Sequence, residues 1–226
     1  TVTQVKVTKK WDDANNQDGL RPKEIRVQLY AGDQKLGKEV VLSADNKWTH
    51  TFEKLAEKAN GQDIHYSVKE VDVPEGYTVT EESKEKGDVV LTNTHTPSKV
   101  DIPVTKIWVD NDNQDGLRPA KITVKLLANG GEVARKDITS ETDWKETFTG
   151  LPKFKDGKEI VYTLQEEKVE NYSPSIDQES YTITNTHTPG KTTLSVTKQW
   201  DDANNQDGLR PKSVKVQLYA DGKKSG

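Results

Sequence analysis

Three lysines with the same neighbours are the residues in this sequence with the clearest capacity for chemistry. Each stands in a short alternating stretch that ends at a tryptophan: 5–11 (VKVTKKW), 102–108 (IPVTKIW) and 194–200 (LSVTKQW). Alternate side chains of a half-buried strand share a face, so Lys9 lies in the inward phase between Val7 and Trp11. Charged lysine is almost never fully buried without a partner. The pattern predicts an inward lysine in each stretch, with partners elsewhere in the chain: Lys9, Lys106 and Lys198.

The same alternation places a carboxylate and an amide on apolar strand faces further along the chain. In the first set of strands, the inward-facing positions of 64–70 end with Glu70, and those of 88–94 end with Asn93. The corresponding inward positions of the second set are Glu166 and Asn185, and the phase excludes the neighbouring Glu167. Each set is therefore predicted to bring one Lys, one Glu and one Asn into the same buried region.

The residues alone leave two interpretations of such a set open. The first is a buried Lys–Glu ion pair that an Asn completes, although desolvation often cancels the attraction in such pairs. The second is chemical, because burial lowers the pKa of a lysine toward the nucleophilic amine and raises that of a glutamate toward the neutral acid. Attack of the amine on the Asn carbonyl would expel ammonia and leave a Lys–Asn isopeptide bond, helped by proximity in a packed core.

The chain is built from internal repeats. The stretch WDDANNQDGLRPK occurs at 11–23 and again at 200–212, and TNTHTP occurs at 92–97 and 184–189. We predict two complete repeats, residues 1–97 and 98–189, and the opening of a third at 190–226. Because the chain lacks methionine and its third repeat is short, we expect it to be a piece of a longer protein. The links contain proline and are expected to be stiff.

The pattern within each repeat predicts strands throughout. Those of the first repeat are 3–11, 24–31, 38–43, 47–53, 64–70, 77–82 and 88–94, and those of the second are 102–108, 120–127, 132–138, 144–148, 159–166, 172–176 and 180–186. Turn-forming pairs such as Asp18-Gly19 separate them. Many short strands in about 95 residues predict a two-sheet sandwich. Leu55 to Ala59 permits one helical turn, and the charged run 81–86 is typical of a solvated hairpin.

Composition argues against several classes of function. Of 226 residues, 31% are hydrophobic and 31% charged, with a net charge of −4, which favours an array of small domains and disfavours nucleic acid or an anionic membrane surface as partner. The sequence contains no cysteine, membrane-span-like run or signal peptide. The four histidines are scattered, so we expect neither a metal site nor a cofactor. We expect His95 and His187 at the surface.

The Asp- and Asn-rich loop after each of these tryptophans leaves a calcium site as an alternative. An EF-hand loop that begins at Asp13 needs an acidic residue at its twelfth position, where the repeats have Glu24, Lys121 and Ser213. The loop also has one residue too many before its glycine. The simpler interpretation is a turn network in which Asp and Asn side chains cap backbone groups.

The motifs in combination resemble the B-type repeats of Gram-positive collagen adhesins, the Cna B-type domain. They are V-x-V-T-K-x-W, W-x-D-x-x-x-Q-D-G-x-R-P, Y-x-V-x-E and T-N-x-x-T-P. The stretch 66–77 (YSVKEVDVPEGY) also resembles the glutamate-bearing box of Gram-positive pilins. The resemblance covers both repeats and the opening of the third. It implies an all-β, rod-like array of tandem immunoglobulin-like sandwiches with inverse topology, each with a self-formed Lys–Asn isopeptide bond assisted by Glu.

Carried over by position, the resemblance also implies a role for each residue. In repeat one, Lys9 is the nucleophile, Asn93 the electrophile and Glu70 the proton shuttle. In repeat two the same roles fall, in that order, to Lys106, Asn185 and Glu166. Lys198 has neither a Glu nor an Asn of this kind downstream.

The function implied by the resemblance is structural. The chain is expected to be a stalk segment of a cell-surface, wall-anchored adhesin, with a single self-modification per repeat and no enzymatic turnover. Its partners are adjacent repeats, while a host matrix ligand and the wall anchor would belong to other regions of the parent protein. A pilus subunit is the first alternative, although no pilin-type lysine motif or LPxTG-like signal is visible. A host-protein binding module is the second, although no large exposed apolar patch is readable.

Overall fold

The computed structural model describes residues 1–84 and 87–226. It divides into two compact units, Thr1–Pro189 and Gly190–Gly226. The described residues form strands, turns and short 3₁₀ helices, with no α-helix among them. Within these ranges no helix is long and apolar enough to cross a membrane. The hairpin predicted over 81–86 includes residues 85 and 86, which lie outside the described ranges.

The first sandwich occupies the first half of the larger unit. Its strands are β1 (Val2–Asp12), β2 (Glu24–Ala31), β3 (Gln34–Lys35), β4 (Val40–Ser43), β5 (Thr49–Ala56), β6 (Lys58–Ala59), β7 (Gln62–Asp63), β8 (Tyr66–Val71), β9 (Thr78–Ser83) and β10 (Val89–Thr94). One sheet has the order β5-β1-β10-β9, and the other has β2 at its centre, paired with β3, β4 and β8. Strands β1 and β10 run parallel, whereas β1 and β5 are antiparallel. Strands β6 and β7 form a separate hairpin, and a 3₁₀ helix covers Ala44–Asn46.

The second sandwich repeats this arrangement. Its strands are β11 (Lys99–Val109), β12 (Lys121–Ala128), β13 (Gly131–Thr139), β14 (Lys145–Pro152), β15 (Phe154–Lys155), β16 (Lys158–Glu159), β17 (Tyr162–Glu166), β18 (Ser173–Asp177) and β19 (Thr182–Thr186). One sheet has the order β14-β11-β19-β18 and the other β13-β12-β17, while β15 and β16 form a hairpin. Among the described residues of these sheets, β11 and β19 run parallel and the other strand pairs are antiparallel. A 3₁₀ helix covers Ser140–Thr142.

Each sandwich has its own core because alternate residues of both sheets point inward. The first core consists of Val5, Val7, Ile25, Val27, Leu29, Leu42, Leu55, Val68, Val89 and Leu91. The second consists of Ile102, Val104, Ile122, Val124, Leu126, Ile138, Phe148, Tyr162, Leu164 and Ile183. The prediction of an all-β fold of tandem sandwiches is confirmed.

The helical turn predicted for Leu55 to Ala59 is wrong. Strand β5 continues through Leu55 and Ala56 because these residues pair with Thr3 and Val2 of β1. The Ala56 carbonyl also accepts a hydrogen bond from the Tyr66 hydroxyl at 2.6 Å. Backbone pairing with a long neighbouring strand thus outweighs the helical propensity of this alanine-rich stretch.

The smaller unit has little regular structure. Its β structure, within the described residues, is one hairpin of β20 (Leu218–Ala220) and β21 (Lys223–Ser225). Residues 192–200, which correspond to β1, form no strand there. The side chains that would face a core are exposed instead, at 77% for Leu194 and 67% for Val196.

Candidate functional site

The strands of the first sandwich bring the predicted Lys, Glu and Asn together. In the parallel pairing of β1 with β10, Lys9 lies opposite Leu91 and Trp11 opposite Asn93, so Lys9 and Asn93 share the inner face of one sheet. Glu70 lies on β8 of the facing sheet. Lys9 is 4% exposed and Asn93 fully buried. The hydrophobic alternation of three strands that are distant in sequence therefore converges on one buried polar site.

The Glu70 carboxylate lies between the amine and the amide. Asn93 donates a hydrogen bond from Nδ2 to Glu70 Oε2 at 2.8 Å. The Lys9 Nζ atom lies 3.9 Å from Glu70 Oε1 and donates to the Lys10 carbonyl at 2.8 Å. Glu70 is therefore within reach of both the nitrogen that would attack and the nitrogen that would leave.

The second sandwich assembles the corresponding set. Lys106 Nζ lies 3.3 Å from Glu166 Oε2, and both side chains are buried. Asn185 is also buried, on β19 beside the strand that carries Lys106. The neighbouring Glu167 has a side chain that is 46% exposed and that pairs with Arg135. The strand phase thus separated the buried glutamate from the exposed one correctly.

Burial perturbs the protonation of these groups. Desolvation lowers the pKa of Lys9 to about 8, although Glu70 opposes the shift, and it lowers that of Lys106 to about 8 against the opposing charge of Glu166. Desolvation also raises the pKa of Glu70, while Asn93 and Lys9 oppose the change. The uncharged forms of the amine and of the acid are therefore both easier to populate in this site than in water.

Several polar atoms of these sites are buried without a hydrogen bond of good geometry. Within the described residues they are Glu70 Oε1, Asn93 Oδ1, Lys106 Nζ, Glu166 Oε2, Asn185 Nδ2 and Asn185 Oδ1. Lys106 and Glu166 remain in ion contact at 3.3 Å, but not in hydrogen-bond geometry. Unsatisfied buried polar atoms are costly, so their concentration at two equivalent places in one chain needs an explanation.

A polar cluster beside the first site was not predicted from the sequence. Arg21 Nη2 donates to Asp13 Oδ1 and the Tyr77 hydroxyl donates to Asp13 Oδ2, each at 2.6 Å. Burial opposes ionisation, but these hydrogen bonds hold the pKa of Asp13 at about 2. The signal that could have revealed the cluster is the eight-residue spacing of Asp and Arg, which recurs as Asp13/Arg21, Asp110/Arg118 and Asp202/Arg210.

The two histidines near the asparagine strands lie at the surface, as predicted, and are partly covered there. The side chain of His95 is 13% exposed, with Nε2 2.7 Å from Asp18 Oδ2 and Nδ1 2.7 Å from the Gly76 carbonyl. His187 makes the corresponding contacts with Asp115 and with the Asn171 carbonyl. Tyrosine rings pack against both imidazoles and cover part of each ring.

The Asp- and Asn-rich loop of the first repeat forms a turn network. Asp13 Oδ1 accepts from the Asn16 amide at 3.0 Å, and Asn16 Oδ1 accepts from the Arg21 amide at 2.9 Å. Both carboxylate oxygens of Asp13, which an EF-hand would use as its first ligand, accept hydrogen bonds from protein donors. In residues 1–84 and 87–226 no group of three or more acidic or histidine side chains is arranged to hold a metal ion.

Comparison with known proteins gives a consistent match. The family model of the Cna protein B-type domain matches residues 5–94, 102–186 and 194–226. The collagen adhesin of Staphylococcus aureus is 50% identical over 224 residues, which is 99% of this chain but 19% of the adhesin. The chain thus spans about a fifth of that relative.

A solved structure supports the same relationship. The crystal structure of two B repeat units (B1B2) of the collagen binding protein (CNA) of Staphylococcus aureus matches with a TM-score of 0.75 and 49% identity. The match covers 100% of this chain and 60% of that structure.

Proposed function

Because the chain belongs to the family of Cna protein B-type domains, we propose that it is a stalk segment whose complete repeats are each locked by a Lys–Asn isopeptide bond. The bonds join Lys9 to Asn93 and Lys106 to Asn185. Each forms once, by self-modification without turnover. The segment is divided into repeats at 1–97 and 98–189, with residues 190–226 opening a third.

The unsatisfied polar atoms are the observation that carries this proposal. An amine, a carboxylate and a carboxamide are buried together twice, with too few hydrogen bonds to satisfy them. A merely structural ion pair would leave this cost in place. Condensation of the amine with the amide removes one charged group and one NH₂ group, and it leaves a single amide that a protonated glutamate can hydrogen-bond.

The steps in repeat one balance without an added reactant. Lys9 Nζ passes a proton to the Glu70 carboxylate, and the neutral amine attacks Cγ of Asn93. Glu70, hydrogen-bonded to Asn93 Nδ2 at 2.8 Å, delivers its proton to that nitrogen and takes the second proton from Nζ. The bond between Cγ and Nδ2 breaks, ammonia leaves, and Glu70 ends as the neutral acid. The perturbed pKa values of Lys9 and Glu70 favour this proton transfer.

The position of the bond in the fold supports a role in bearing load. Lys9 lies on β1 and Asn93 on β10, which are the first and last strands of the repeat and run side by side. A covalent link between them would carry force from one end of the repeat to the other and bypass the strands between. Because the collagen adhesin of Staphylococcus aureus is 50% identical to the chain, we also propose that the parent is a Gram-positive, wall-anchored surface adhesin that binds its ligand through another region.

Substitution of the buried glutamates tests the proposal. Glu166→Ala should abolish the cross-linked peptide that contains Lys106 and Asn185, because the proton shuttle is lost, and should leave the Lys9–Asn93 peptide intact. The matched control is Glu167→Ala, which removes a neighbouring exposed carboxylate. Peptide mapping by mass spectrometry distinguishes the two links. Persistence of the Lys106–Asn185 peptide in Glu166→Ala, or its loss in Glu167→Ala, would contradict the assigned roles.

A further inference from the structure

The indole of Trp11 lies directly against the lysine amine. Trp11 follows Lys9 by two residues on β1, so both side chains lie on the same face. Lys9 Nζ is 4.1 Å from the centroid of the Trp11 ring. The corresponding distance from Lys106 Nζ to the Trp108 ring is 4.2 Å. At these distances an aromatic face attracts an ammonium ion.

The Trp11 ring is held in place from several sides. Trp48 packs edge-on at 5.4 Å and Tyr77 edge-on at 5.2 Å. The Arg21 guanidinium lies 5.5 Å from the ring centroid. Asp13 binds both Arg21 and Tyr77, so these three residues form a closed unit, here named the clasp. The indole Nε1 is buried without a hydrogen-bond partner among the described residues, so no hydrogen bond of its own explains the ring's orientation.

The second sandwich repeats the arrangement with the same residue types at equivalent positions. Tyr172 and Arg118 both donate to Asp110, each at 2.6 Å. Tyr172 lies 5.0 Å and Arg118 5.4 Å from the Trp108 ring. A lysine over an indole and an Arg–Asp pair also occur at Trp200 in the smaller unit, so these contacts need only local sequence. The two sandwiches add the tyrosine that completes the clasp and place the ammonium and the ring beside a buried glutamate. It is this addition that argues that the ring serves the lysine as well as the core.

We propose that Trp11 and Trp108 are positioning residues that hold the lysine ammonium beside its glutamate and release the amine when the proton leaves. This inference deepens the proposed function and rests on it. An aromatic face attracts a cation but not a neutral amine, so proton transfer to Glu70 removes the force that holds Nζ against the ring. The amine is then free to move toward Asn93. The clasp acts through the ring, by fixing its orientation.

The charges around Lys9 determine the sign of the pH effect. Glu70 faces Nζ from β8, while Asp13 and Arg21 face it from the loop after β1. The two carboxylates favour the ammonium and Arg21 disfavours it. The ring also favours the ammonium, so its removal should lower the pKa of Lys9. The pair reacts while it holds the one proton that Lys9 passes to Glu70, so loss of that proton sets the alkaline limb of the pH–rate profile. Loss of the ring should therefore shift the alkaline limb downward by about one pH unit and leave the acid limb, which Glu70 sets, in place.

The experiment measures ammonia loss from each repeat after cell-free synthesis, at a series of pH values, by mass spectrometry of the linked peptides. Trp11→Leu removes the ring from Lys9. Phe52→Leu removes an aromatic side chain that packs on the same core, with its ring edge-on to His50, and serves as the packing control. Trp11→Phe keeps an aromatic face with a weaker attraction for cations. Repeat two of the same molecule is the internal reference.

The expected result is a split between Trp11 and Phe52. Trp11→Leu should shift the alkaline limb downward and slow the maximal rate about tenfold, because the amine is no longer held in position. Trp11→Phe should shift the limb in the same direction by a smaller amount, and Phe52→Leu should leave it unmoved. If repeat one of Trp11→Leu does not fold, the comparison of Trp11→Phe with Phe52→Leu decides by the same shift.

Two results would overturn the inference. Identical pH profiles for the Trp11 and Phe52 variants would reduce Trp11 to a packing residue, while ammonia loss from repeat two would leave the proposed function standing. Absence of ammonia loss from both repeats of the unaltered protein would overturn the proposed function, and the role of the tryptophans with it.

Discussion

The lysines of the two sandwiches and the lysine of the smaller unit have the same neighbours in sequence and different surroundings in the fold. Lys9 and Lys106 are buried beside a glutamate. Lys198 keeps its tryptophan, with Nζ 4.8 Å from the Trp200 ring. It lies, however, in a stretch without strand structure, flanked by exposed apolar side chains. The same local sequence thus gives a buried reactive group in one context and an exposed amine in the other.

The comparison separates local structure from structure that depends on distant strands. The loop that follows Trp200 forms as in the other repeats, with Arg210 bound to Asp202 and the Asn205 side chain accepting from the Arg210 amide. These contacts need only residues close in sequence. Burial of the lysine needs the strands that carry Glu and Asn, which in repeat one lie roughly 60 and 80 residues further on. The reactive site is therefore a property of the whole sandwich.

The largest expected effect of breaking a complete site is mechanical. If the Lys9–Asn93 bond carries the load, pulling a single molecule by its ends should show no unfolding step for repeat one. Lys9→Ala should release a loop of roughly 80 residues, or about 250–300 Å of chain, in one step. Repeat two should remain unextended in both proteins and serves as the control. Equal extension of repeat one with and without Lys9 would contradict the load-bearing role.

The second effect concerns the smaller unit as an unreacted counterpart. About 35 residues of this composition bury too little apolar surface to fold alone. Limited proteolysis of dilute protein should therefore cut within 192–226 well before it cuts within 1–189. Peptide mapping should find no cross-linked peptide that contains Lys198. Lasting protection of 192–226 would contradict the inference that this segment does not fold alone. A Lys198 cross-link within one chain would contradict the inference that this lysine has no partner.

A smaller effect should appear in the pH dependence of stability. In Asn93→Ala no bond can form, and Lys9 stays buried. The pKa of Lys9 is about 8 in the folded protein and 10.5 in the unfolded chain. Below pH 8 the amine is protonated in both states, so the full free-energy cost of burying the ammonium remains. Between pH 8 and 10.5 the unfolded state binds more protons, so stability should rise, by up to about 3 kcal/mol.

Chemical denaturation of repeat one across this pH range measures the rise. The matched control adds Lys9→Met to the Asn93→Ala background, which keeps the length of the side chain without the amine. The rise should be absent from the control. The same pH dependence in both proteins would mean that the rise in stability does not come from deprotonation of Lys9.

The sequence predicted much of this arrangement because burial in strands follows a simple period. Alternation alone identified Lys9, Glu70 and Asn93 as inward residues and chose Glu166 over Glu167. It could not reveal the clasp, because the bond from Tyr77 to Asp13 joins two loops that are 64 residues apart and has no periodic signature. The continuation of β5 through Leu55 was missed for a related reason. Its conformation depends on pairing with β1, which is distant in sequence.

The two complete sites are proposed to react, whereas the third lysine has no partner with which to react. The intact mass of the folded, unaltered protein distinguishes reacted from unreacted sites. It should lie below the mass of the sequence by two molecules of ammonia, one for each complete repeat. The Lys9→Ala protein should lack one of these losses, after correction for the substitution. A well-folded protein with the full, unmodified mass would show that neither isopeptide bond forms.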